Sequence, residues 1–339
     1  MKALKVFKPN DMQLIDMDMP SITSDTHVLV KVTASGICGS DIHILGGTHA
    51  HVQYPRVIGH EGAGVVEKIG AAVTDLKVGD SVVIDSYLSC GKCYACKKGR
   101  QNCCSSVSVF GSHMDGTFRE YMVLERKQLF KYPASLTPVQ AATTEPYSIG
   151  TQANSRGGTT KGDLVLIHGA GPIGSIVCDV AETLGATCIV SEVNERRLAM
   201  AKHFGAKYFL NPEKDDISKR VMEISDGMGV NIIFDAAGAQ NVAEESIHML
   251  SVAGTLVPIA THGAKPKLIN FPRLNKNELT IAATRLHCNK FSEVVASLPG
   301  RVDRINHLVT HVFTIDEYKD AFIAASDKES GACKVIIKF

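Results

Sequence analysis

The sequence has few of the features that mark nucleic-acid-binding, membrane or secreted proteins. Among its 339 residues, 36 Lys and Arg stand against 35 Asp and Glu, so the formal net charge is only +1, and tryptophan is absent. A charge this close to zero argues against a nucleic-acid partner, because such proteins usually carry a basic excess. No apolar run reaches the ~18 residues of a membrane span. The first residues lack the apolar core and cleavage site of a signal peptide.

Cysteine, in contrast, is plentiful, with ten residues in the chain. Without a signal peptide we expect a cytoplasmic protein, and clustered cysteines in a reducing cytoplasm favour metal binding over disulfides. The chain is 45% hydrophobic and long enough to bury a large core. Its length predicts two domains.

The N-terminal third of the chain has the pattern of a β-rich domain. Its β-branched runs are short and are bounded by Gly, Asp or Pro, as in His27–Lys31, Gly64–Lys68 and Ser81–Ile84. Such runs predict a compact antiparallel or barrel-like domain. The tail from about Arg285 is expected to return to this domain. It contains two predicted helices and a final predicted strand: Phe291–Leu298, Asp316–Ala325 and Lys334–Lys338.

Between these parts, predicted strands alternate with predicted helices. Strands alternating with helices of this length indicate βαβ units and a parallel sheet, so the predicted fold class is α/β with a β-rich part. In chain order the elements are Val165–Ile167, Ile173–Leu184, Thr187–Val190, Glu195–Phe204, Tyr208–Leu210, Ile217–Ser225, Asn231–Phe234, Val242–Leu250 and Thr255–Pro258.

A dinucleotide-binding loop follows the first of these strands. The segment Gly169-Ala170-Gly171-Pro172-Ile173-Gly174 has the pattern GxGxxG and opens a helix. Gly169 allows the tight turn, Gly171 lets the backbone approach a pyrophosphate, and Gly174 lets helix and strand pack closely. The helix that Pro172 and Ile173 begin offers free N–H groups and partial positive charge to the phosphates. The alternative interpretation is a glycine-rich turn in an ordinary α/β sheet.

An acidic residue completes this pattern at the end of the next strand. Glu192 follows Ile189-Val190-Ser191, where a carboxylate accepts hydrogen bonds from the ribose hydroxyls and repels a 2′-phosphate. We therefore predict NAD rather than NADP as the cofactor. Arg196 and Arg197 lie close by and would weaken that preference.

Four cysteines in one short loop predict a structural zinc site. Cys90, Cys93, Cys96 and Cys104 follow the spacing C-x2-C-x2-C-x7-C, and four thiolates satisfy tetrahedral zinc without leaving a position for water. Cys103 adjoins Cys104, so the spacing alone leaves the fourth ligand open. Free or disulfide-bonded thiols are the alternative.

A second, dispersed group consists of Cys38, His60 and Glu61. A thiolate, an imidazole and a carboxylate can hold zinc and leave an open position for substrate. Taken singly, each residue type is more often a buried thiol, a core histidine or a surface charge. Residue types alone therefore do not establish this site.

The motifs together resemble those of the zinc-dependent medium-chain alcohol and polyol dehydrogenases. The segment GHEGAGVVEKIGAAV has the pattern GHExxGxxxxxGxxV of that family's zinc signature. The segments CGSDIH, EPYSIG and GAGPIG and the four-cysteine loop match further family motifs in the expected order. The resemblance covers essentially the whole chain. It implies a GroES-like domain at 1–148, a Rossmann doubly wound domain at 149–284 and a return to the catalytic domain at 285–339.

The resemblance also implies ligands and cofactors. Cys38 and His60 would hold a catalytic zinc, and the third protein ligand would be Glu61 or Glu145, which exchange roles in relatives. One catalytic and one structural zinc ion and NAD are the implied cofactors. A homodimer or homotetramer is the implied assembly, with no nucleic acid or membrane as partner.

Further roles follow from the same resemblance. Ser40 and His43 match the positions that relay the substrate proton to solvent, Arg197 matches a residue that contacts the adenosine ribose, and Arg285 matches an arginine that faces the substrate. Glu145-Pro146 resembles the sorbitol dehydrogenase branch, where other alcohol dehydrogenases have a cysteine. That branch oxidises secondary alcohols on polyols and sugar acids.

Two segments narrow the expected substrate. QNCCSSVSVFGSHMDGTFREY and TRLHCNKF resemble bacterial sugar-acid dehydrogenases, among them L-galactonate and L-gulonate 5-dehydrogenases and RspB-like proteins. Arg285 would supply a bidentate partner for the substrate carboxylate, although a surface or cofactor-contacting cation is an equal alternative. We therefore expect oxidation of a sugar acid to a 5-keto acid. A dehydrogenase of neutral polyols and a zinc-bearing redox regulator without turnover are the competing hypotheses.

Overall fold

The computed structural model describes residues 1–239, 242–260, 270–327 and 329–339. The chain divides into two compact units. The first unit contains Met1–Glu145 together with Cys288–Phe339, and the second contains Pro146–His287. The domain limits drawn from the sequence stay a prediction beside these units. Among the described residues, no helix is both long and apolar enough to cross a membrane.

The strands, numbered in chain order, are β1 (Lys2–Lys8), β2 (Asp11–Asp16), β3 (His27–Ile37), β4 (Arg56–Val57), β5 (Glu61–Ile69), β6 (Ser81–Ile84), β7 (Tyr87–Leu88), β8 (Ser108–Val109), β9 (Tyr121–Glu125), β10 (Leu129–Lys131), β11 (Leu164–His168), β12 (Thr187–Ser191), β13 (Ala206–Leu210), β14 (Val230–Asp235), β15 (Leu250–Pro258), β16 (Thr280–Ile281), β17 (Val309–Thr314) and β18 (Lys334–Lys338).

The α-helices are α1 (Gly39–Leu45), α2 (Tyr94–Lys97), α3 (Pro138–Ala141), α4 (Thr144–Gly157), α5 (Pro172–Thr183), α6 (Glu195–Met200), α7 (Ile217–Ile224), α8 (Val242–Met249), α9 (Phe271–Asn277), α10 (Phe291–Ser297), α11 (Val302–Leu308) and α12 (Tyr318–Ser326). Short 3-10 helices occupy Gln101–Cys103, Arg126–Gln128, Ala201–Phe204, Leu298–Arg301 and Ile315–Glu317.

The first unit is built on β-sheets, as its short β-branched runs predict. Its largest sheet has the order β10-β6-β5-β3-β18-β17, with β9 also paired to β3. All of these pairs are antiparallel except β17 with β18. A second sheet has the order β2-β1-β4. Strand β3 is central because it pairs with β5, β9 and β18, so its register sets which residues of these segments meet.

The second unit contains the predicted parallel sheet. Its strand order is β13-β12-β11-β14-β15-β16, and every pair is parallel. The glycine loop follows β11, next to β12 and β14. Buried residues of strands and helices form one apolar cluster here, which includes Leu166, Ile189, Val221 and Ile233. The predicted fold class is confirmed, with a β-rich unit and a parallel α/β unit.

Several element boundaries differ from the predicted ones for local reasons. The helix predicted from Asp316 starts as a 3-10 turn, because Glu317 accepts hydrogen bonds from the Thr314 backbone and side chain and delays the α-helix to Tyr318. The helix predicted to end at Phe204 does end there, although its last turn is 3-10. Gly205 then adopts φ +86, a left-handed conformation that favours glycine at a helix end.

Candidate functional site

The first unit brings Cys38, His60 and Glu61 together. One ligand atom of each lies within 4.8 Å of the others. Cys38 precedes α1, His60 precedes β5 and Glu61 is the first residue of β5, so a helix start and a strand start supply the three groups. A thiolate, an imidazole and a carboxylate at this separation are a donor set that suits zinc.

Asp41 links the two segments of this site. It is fully buried, and its carboxylate accepts hydrogen bonds from the backbone N–H of Cys38 at 2.9 Å and of Gly59 at 3.0 Å. The same carboxylate lies 3.8 Å from His60 Nδ1. A carboxylate beside a ligating histidine orients the ring and strengthens its basicity. Sequence reasoning missed this role, although an acid three residues after a helix N-cap is a recognisable capping pattern.

Lys334 is the second residue that sequence reasoning missed. Its Nζ donates to both carboxylate oxygens of Glu61, at 2.7 and 2.9 Å, and to the Ile37 carbonyl at 3.0 Å. Both side chains are buried. Burial alone would lower the pKa of Lys334, but the charges of Glu61, Cys38 and Glu145 and the hydrogen bond to Glu61 together raise that pKa to about 12. A lysine in the apolar strand β18 was the only sequence signal.

Gly36 makes room for the Glu61 carboxylate. Strands β3 and β5 pair so that Gly36 faces Glu61. A Cβ at Gly36 would lie only 1.9 Å from Glu61 Oε2. Nonbonded atoms do not come this close, so any larger residue at position 36 would displace the Glu61 carboxylate. The glycine is therefore part of the support that holds Glu61 beside Cys38 and His60.

Glu145 lies near this group but outside it. It is 5% exposed at the start of α4, and Ser86 Oγ lies 3.5 Å from its Oε1. Its charge acts on the pKa values of His60 and Lys334, which places it within electrostatic range of both. The ligand atoms that lie within 4.8 Å of one another include Glu61 and not Glu145.

Helix α1 carries both predicted proton-relay residues. Ser40 and His43 are three residues apart, so they share one face of the helix. His43 Nδ1 lies 2.9 Å from Thr48 Oγ1, and the Thr48 hydroxyl can donate to the His43 carbonyl at 3.4 Å. In that arrangement Nδ1 carries the proton and Nε2 has a lone pair. His43 is then able to accept a proton.

The four-cysteine loop forms the second metal group. Cys90, Cys93, Cys96 and Cys104 have sulfur atoms within 4.8 Å of one another, whereas Cys103 is exposed and outside this group. Backbone N–H groups of Cys96 and Ser105 lower the pKa of Cys93 to about 5. The N–H of Cys90, 3.3 Å from Cys104 Sγ, lowers the pKa of Cys104. These bonds favour the thiolate, which is the form that binds zinc.

The glycine loop of the second unit is open beside Gly171. Gly169 has φ +93, and a Cβ at Gly174 would lie 1.9 Å from the Gly169 carbonyl oxygen, so both positions require glycine for the local fold. Gly171 is different, because a Cβ there would meet no described atom within 4 Å. Its open side fits the approach of a pyrophosphate to the backbone. Pro172 and Ile173 then begin α5, which has Gly171 as its N-cap.

Glu192 lies at the predicted position beside this loop. Its Oε2 accepts a hydrogen bond from Ala170 N at 2.8 Å, and its Oε1 accepts one from Asn194 N at 2.9 Å. An ionised carboxylate has about four lone-pair sites, so acceptor capacity remains for ribose hydroxyls. Arg197 lies one turn into α6, where its N–H bonds the cap residue Asn194. Arg285 is exposed and also belongs to the second unit.

Two family models match the chain. Residues 24–134 match the alcohol dehydrogenase GroES-like domain, and residues 172–299 match the zinc-binding dehydrogenase domain. Together these matches cover more than half of the sequence. The chain belongs to the zinc-binding alcohol dehydrogenase family.

Relatives cover the chain almost completely. The starvation-sensing protein RspB of Escherichia coli K12 is 33% identical over 100% of this chain and 99% of its own. The crystal structure of rspB from E. coli CFT073, complexed with NADH, has a TM-score of 0.94 and the same coverage. The sorbitol dehydrogenase of Bacillus subtilis is 30% identical over 99% of this chain and 97% of its own. L-Idonate 5-dehydrogenase of E. coli is 27% identical in sequence, and its crystal structure has a TM-score of 0.87 over 100% of this chain and 98% of its own.

The family membership confirms several predictions made from the sequence. The protein is an oxidoreductase of the zinc-type medium-chain alcohol and polyol dehydrogenases, in the sorbitol-like branch. Zinc and a nicotinamide adenine dinucleotide are its cofactors. The two groups of ligand side chains supply the donor sets that these metal ions need. The roles of single residues stay predictions.

Proposed function

We propose that this dehydrogenase oxidises a secondary alcohol of a sugar acid, such as L-gulonate or L-galactonate, to the 5-keto acid with NAD. The observation that carries the reaction type is the group of Cys38, His60 and Glu61, supported by Asp41 and Lys334. The sugar-acid substrate is supported by the similarity to an L-idonate 5-dehydrogenase. The similarity to a sorbitol dehydrogenase supports the alternative, a neutral polyol.

In this mechanism the chain's own residues bind the metal and move one proton. Cys38 and His60, with Glu61 at rest and Glu145 in exchange, would hold the catalytic zinc. When bound, zinc lowers the pKa of a substrate hydroxyl and the dinucleotide accepts hydride. Oxidation of the alcohol to a ketone releases a hydride from carbon and a proton from oxygen. Ser40 receives that proton and passes it to His43 Nε2, from which it reaches solvent.

A substrate panel with NAD tests the proposal directly. L-Gulonate and sorbitol share one carbon skeleton and differ only in a carboxylate in place of a CH2OH group. We expect NADH absorbance to rise with the hexonates L-gulonate or L-galactonate and to rise far less with sorbitol. A chelator should remove this activity. A higher kcat/KM for sorbitol than for any hexonate would establish the polyol alternative instead. No turnover with any alcohol would favour the other competing hypothesis, a zinc-bearing redox regulator without enzymatic activity.

Replacing Glu192 with alanine should weaken NAD binding and relax the discrimination against NADP. The variant loses the carboxylate that accepts from ribose hydroxyls and repels a 2′-phosphate, so we expect KM for NAD to rise about tenfold or more. KM values for both cofactors give the readout. Glu195→Ala is the matched control, since that exposed carboxylate pairs with Lys214 at 2.6 Å. Unchanged selectivity in Glu192→Ala would contradict the assignment.

Replacing Cys104 with serine should remove the structural zinc. One of four thiolates is lost, and because the loop depends on the ion for its fold, we expect metal content to drop by one zinc per chain with a lower unfolding temperature. Cys103→Ser, at the exposed neighbouring position, should change neither quantity. Elemental analysis and thermal unfolding of both variants provide the measurement. If Cys103→Ser loses zinc and Cys104→Ser does not, Cys103 is the fourth ligand and Cys104 is not.

Further features belong to the proposal. Arg285 binds the substrate carboxylate, and Arg197 binds the adenosine ribose. The chain acts as a homodimer or homotetramer in a reducing compartment, which sedimentation and thiol titration of the purified enzyme would test. The domain limits are 1–148, 149–284 and 285–339.

A further inference from the structure

A cavity of about 330 Å³ lies at the start of α10 in the first unit. Its walls come from the ends of β6 and β10, the strand β7, the 3-10 helix Gln101–Cys103 and the first turn of α10. The described residues that line this α10 cavity include none of the proposed catalytic residues or metal ligands. Small-molecule sites begin at about this volume. Neither the sequence motifs nor the proposed mechanism assigns a role to the α10 cavity.

Strand pairing brings polar groups and an aromatic pair to this cavity. The ladder between β6 and β10 continues past β6, because the N–H of Asp85 donates to the Gln128 carbonyl at 2.7 Å. Asp85 and Gln128 therefore lie opposite each other, and both line the cavity. Phe130 lines it from β10, and its ring centroid lies 5.5 Å from that of Phe291 in α10.

Gln128 has a buried donor without an acceptor. The residue is only 3% exposed. Its Oε1 accepts a hydrogen bond from the Glu125 N–H at 3.2 Å, which identifies this atom as the oxygen and the other as the NH2 group. Among the described residues, Gln128 Nε2 has no hydrogen-bond partner. A buried donor is costly unless an acceptor meets it, and an oxygen of a molecule in the cavity would supply that acceptor.

The lining of the cavity favours a neutral ligand with several hydroxyl groups. Among the described lining residues, Asp85 is the one carboxylate and Lys127 the one cation, so the charges balance. Gln101 and Asn289 contribute side-chain amides, with Asn289 Nδ2 3.3 Å from Gln101 Oε1. Amides both donate and accept hydrogen bonds, as hydroxyl groups do. A purely apolar ligand, in contrast, would leave Gln128 Nε2 unpaired.

We infer that the α10 cavity binds one neutral sugar or sugar alcohol, at a site separate from the catalytic one. An oxygen of the ligand accepts a hydrogen bond from Gln128 Nε2, and a hydroxyl of the ligand donates to the Asp85 carboxylate. The C–H groups of the ligand pack on Phe130 and Phe291, which removes apolar surface from water. This inference goes beyond the proposed function and does not depend on which alcohol the enzyme oxidises.

Calorimetric titration of the zinc-loaded enzyme with D-glucose, D-galactose, D-mannitol and sorbitol tests the inference. We expect at least one of these compounds to bind. Cys38→Ala should bind it with parental affinity, because this variant loses the catalytic metal site and retains the α10 cavity. Ser292→Trp fills the cavity from α10 and should weaken binding about tenfold or more. Ala296→Trp, at an exposed position of the same helix outside the cavity lining, is the matched control.

Gln128→Met tests the buried donor separately. Methionine has a similar length and no N–H, so the same compound should again bind about tenfold more weakly. Thermal unfolding of each variant checks that the fold is retained. Parental affinity in Gln128→Met would contradict the role of its amide.

The remaining outcomes each decide the inference. Equal affinity in Ser292→Trp and the parent overturns it, as does an absence of binding in the parent. Loss of binding in Cys38→Ala assigns the compound to the catalytic site instead. L-Leucine and inorganic phosphate are titrated in parallel, and binding of either one without binding of any sugar or sugar alcohol would assign the cavity to a charged ligand.

Discussion

Replacing Cys38 with alanine is expected to abolish turnover while NADH binding stays close to that of the parent. The thiolate is one of three protein donors in the group with His60 and Glu61, and zinc contributes several kcal/mol to the oxidation of an unactivated hydroxyl. A fall in kcat of at least about a thousandfold follows. The bond from residue 38 to Asp41 comes from the backbone N–H, so alanine retains it and the local fold.

Three measurements check this expectation. Metal content should fall from two zinc ions per chain to one, kcat should collapse, and NADH fluorescence should report nearly unchanged cofactor affinity, because the glycine loop belongs to the second unit. Cys103→Ala is the control, since this exposed cysteine lies outside both metal groups. A Cys38→Ala enzyme with near-parental turnover would remove the basis of the proposed mechanism.

Replacing Lys334 with methionine should produce the largest loss of stability. The substitution removes the ammonium that bonds both oxygens of Glu61 and leaves a buried carboxylate without its partner. Breaking a buried ion pair from one side costs about 3–5 kcal/mol. For a unit of this size the unfolding temperature should fall by about 10 °C. The loss should be greater after chelation, since zinc also compensates the Glu61 charge.

Differential scanning calorimetry of the purified enzyme measures this effect. Lys338→Met is the matched control, because Lys338 lies on the same strand and is exposed. That substitution should change the unfolding temperature by no more than 1–2 °C, as is usual for surface positions. If Lys334→Met unfolds within the same narrow range, the buried pair does not support Glu61 in solution, and the positioning role of Lys334 is wrong.

Sites formed by residues close in the chain were predictable from the sequence. The glycine loop and the four-cysteine loop each lie in one short segment, so spacing alone brings their donors or N–H groups together. The choice between Cys103 and Cys104 was not predictable, because the two are adjacent. The path of the loop favours Cys104, since its sulfur lies among the other three and Cys103 is exposed.

Strand β3 shows where sequence periodicity stops being informative. The alternation of β-branched residues predicts a strand over His27–Lys31, whereas the strand extends to Ile37. Its second half contains Ser35 and Gly36, small residues that a propensity argument places in a turn. Gly36 fits the strand because the Glu61 carboxylate occupies the space where a larger side chain would lie, and the buried Ser35 hydroxyl lies 2.6 Å from that of Thr117.

The sequence by itself determined the local chemistry. It showed which loop can bind zinc, which turn can bind a pyrophosphate, and which segments alternate as strands and helices of a parallel sheet. These depend on spacing within a few residues. Only the tertiary structure decided that Glu61, rather than Glu145, lies beside Cys38 and His60, and that Lys334 faces Glu61. Such contacts depend on the register of β3 against β5 and β18, where Gly36 faces both Glu61 and Ile336. These strands lie far apart in the chain, so motif spacing within one segment does not determine which of their residues face each other.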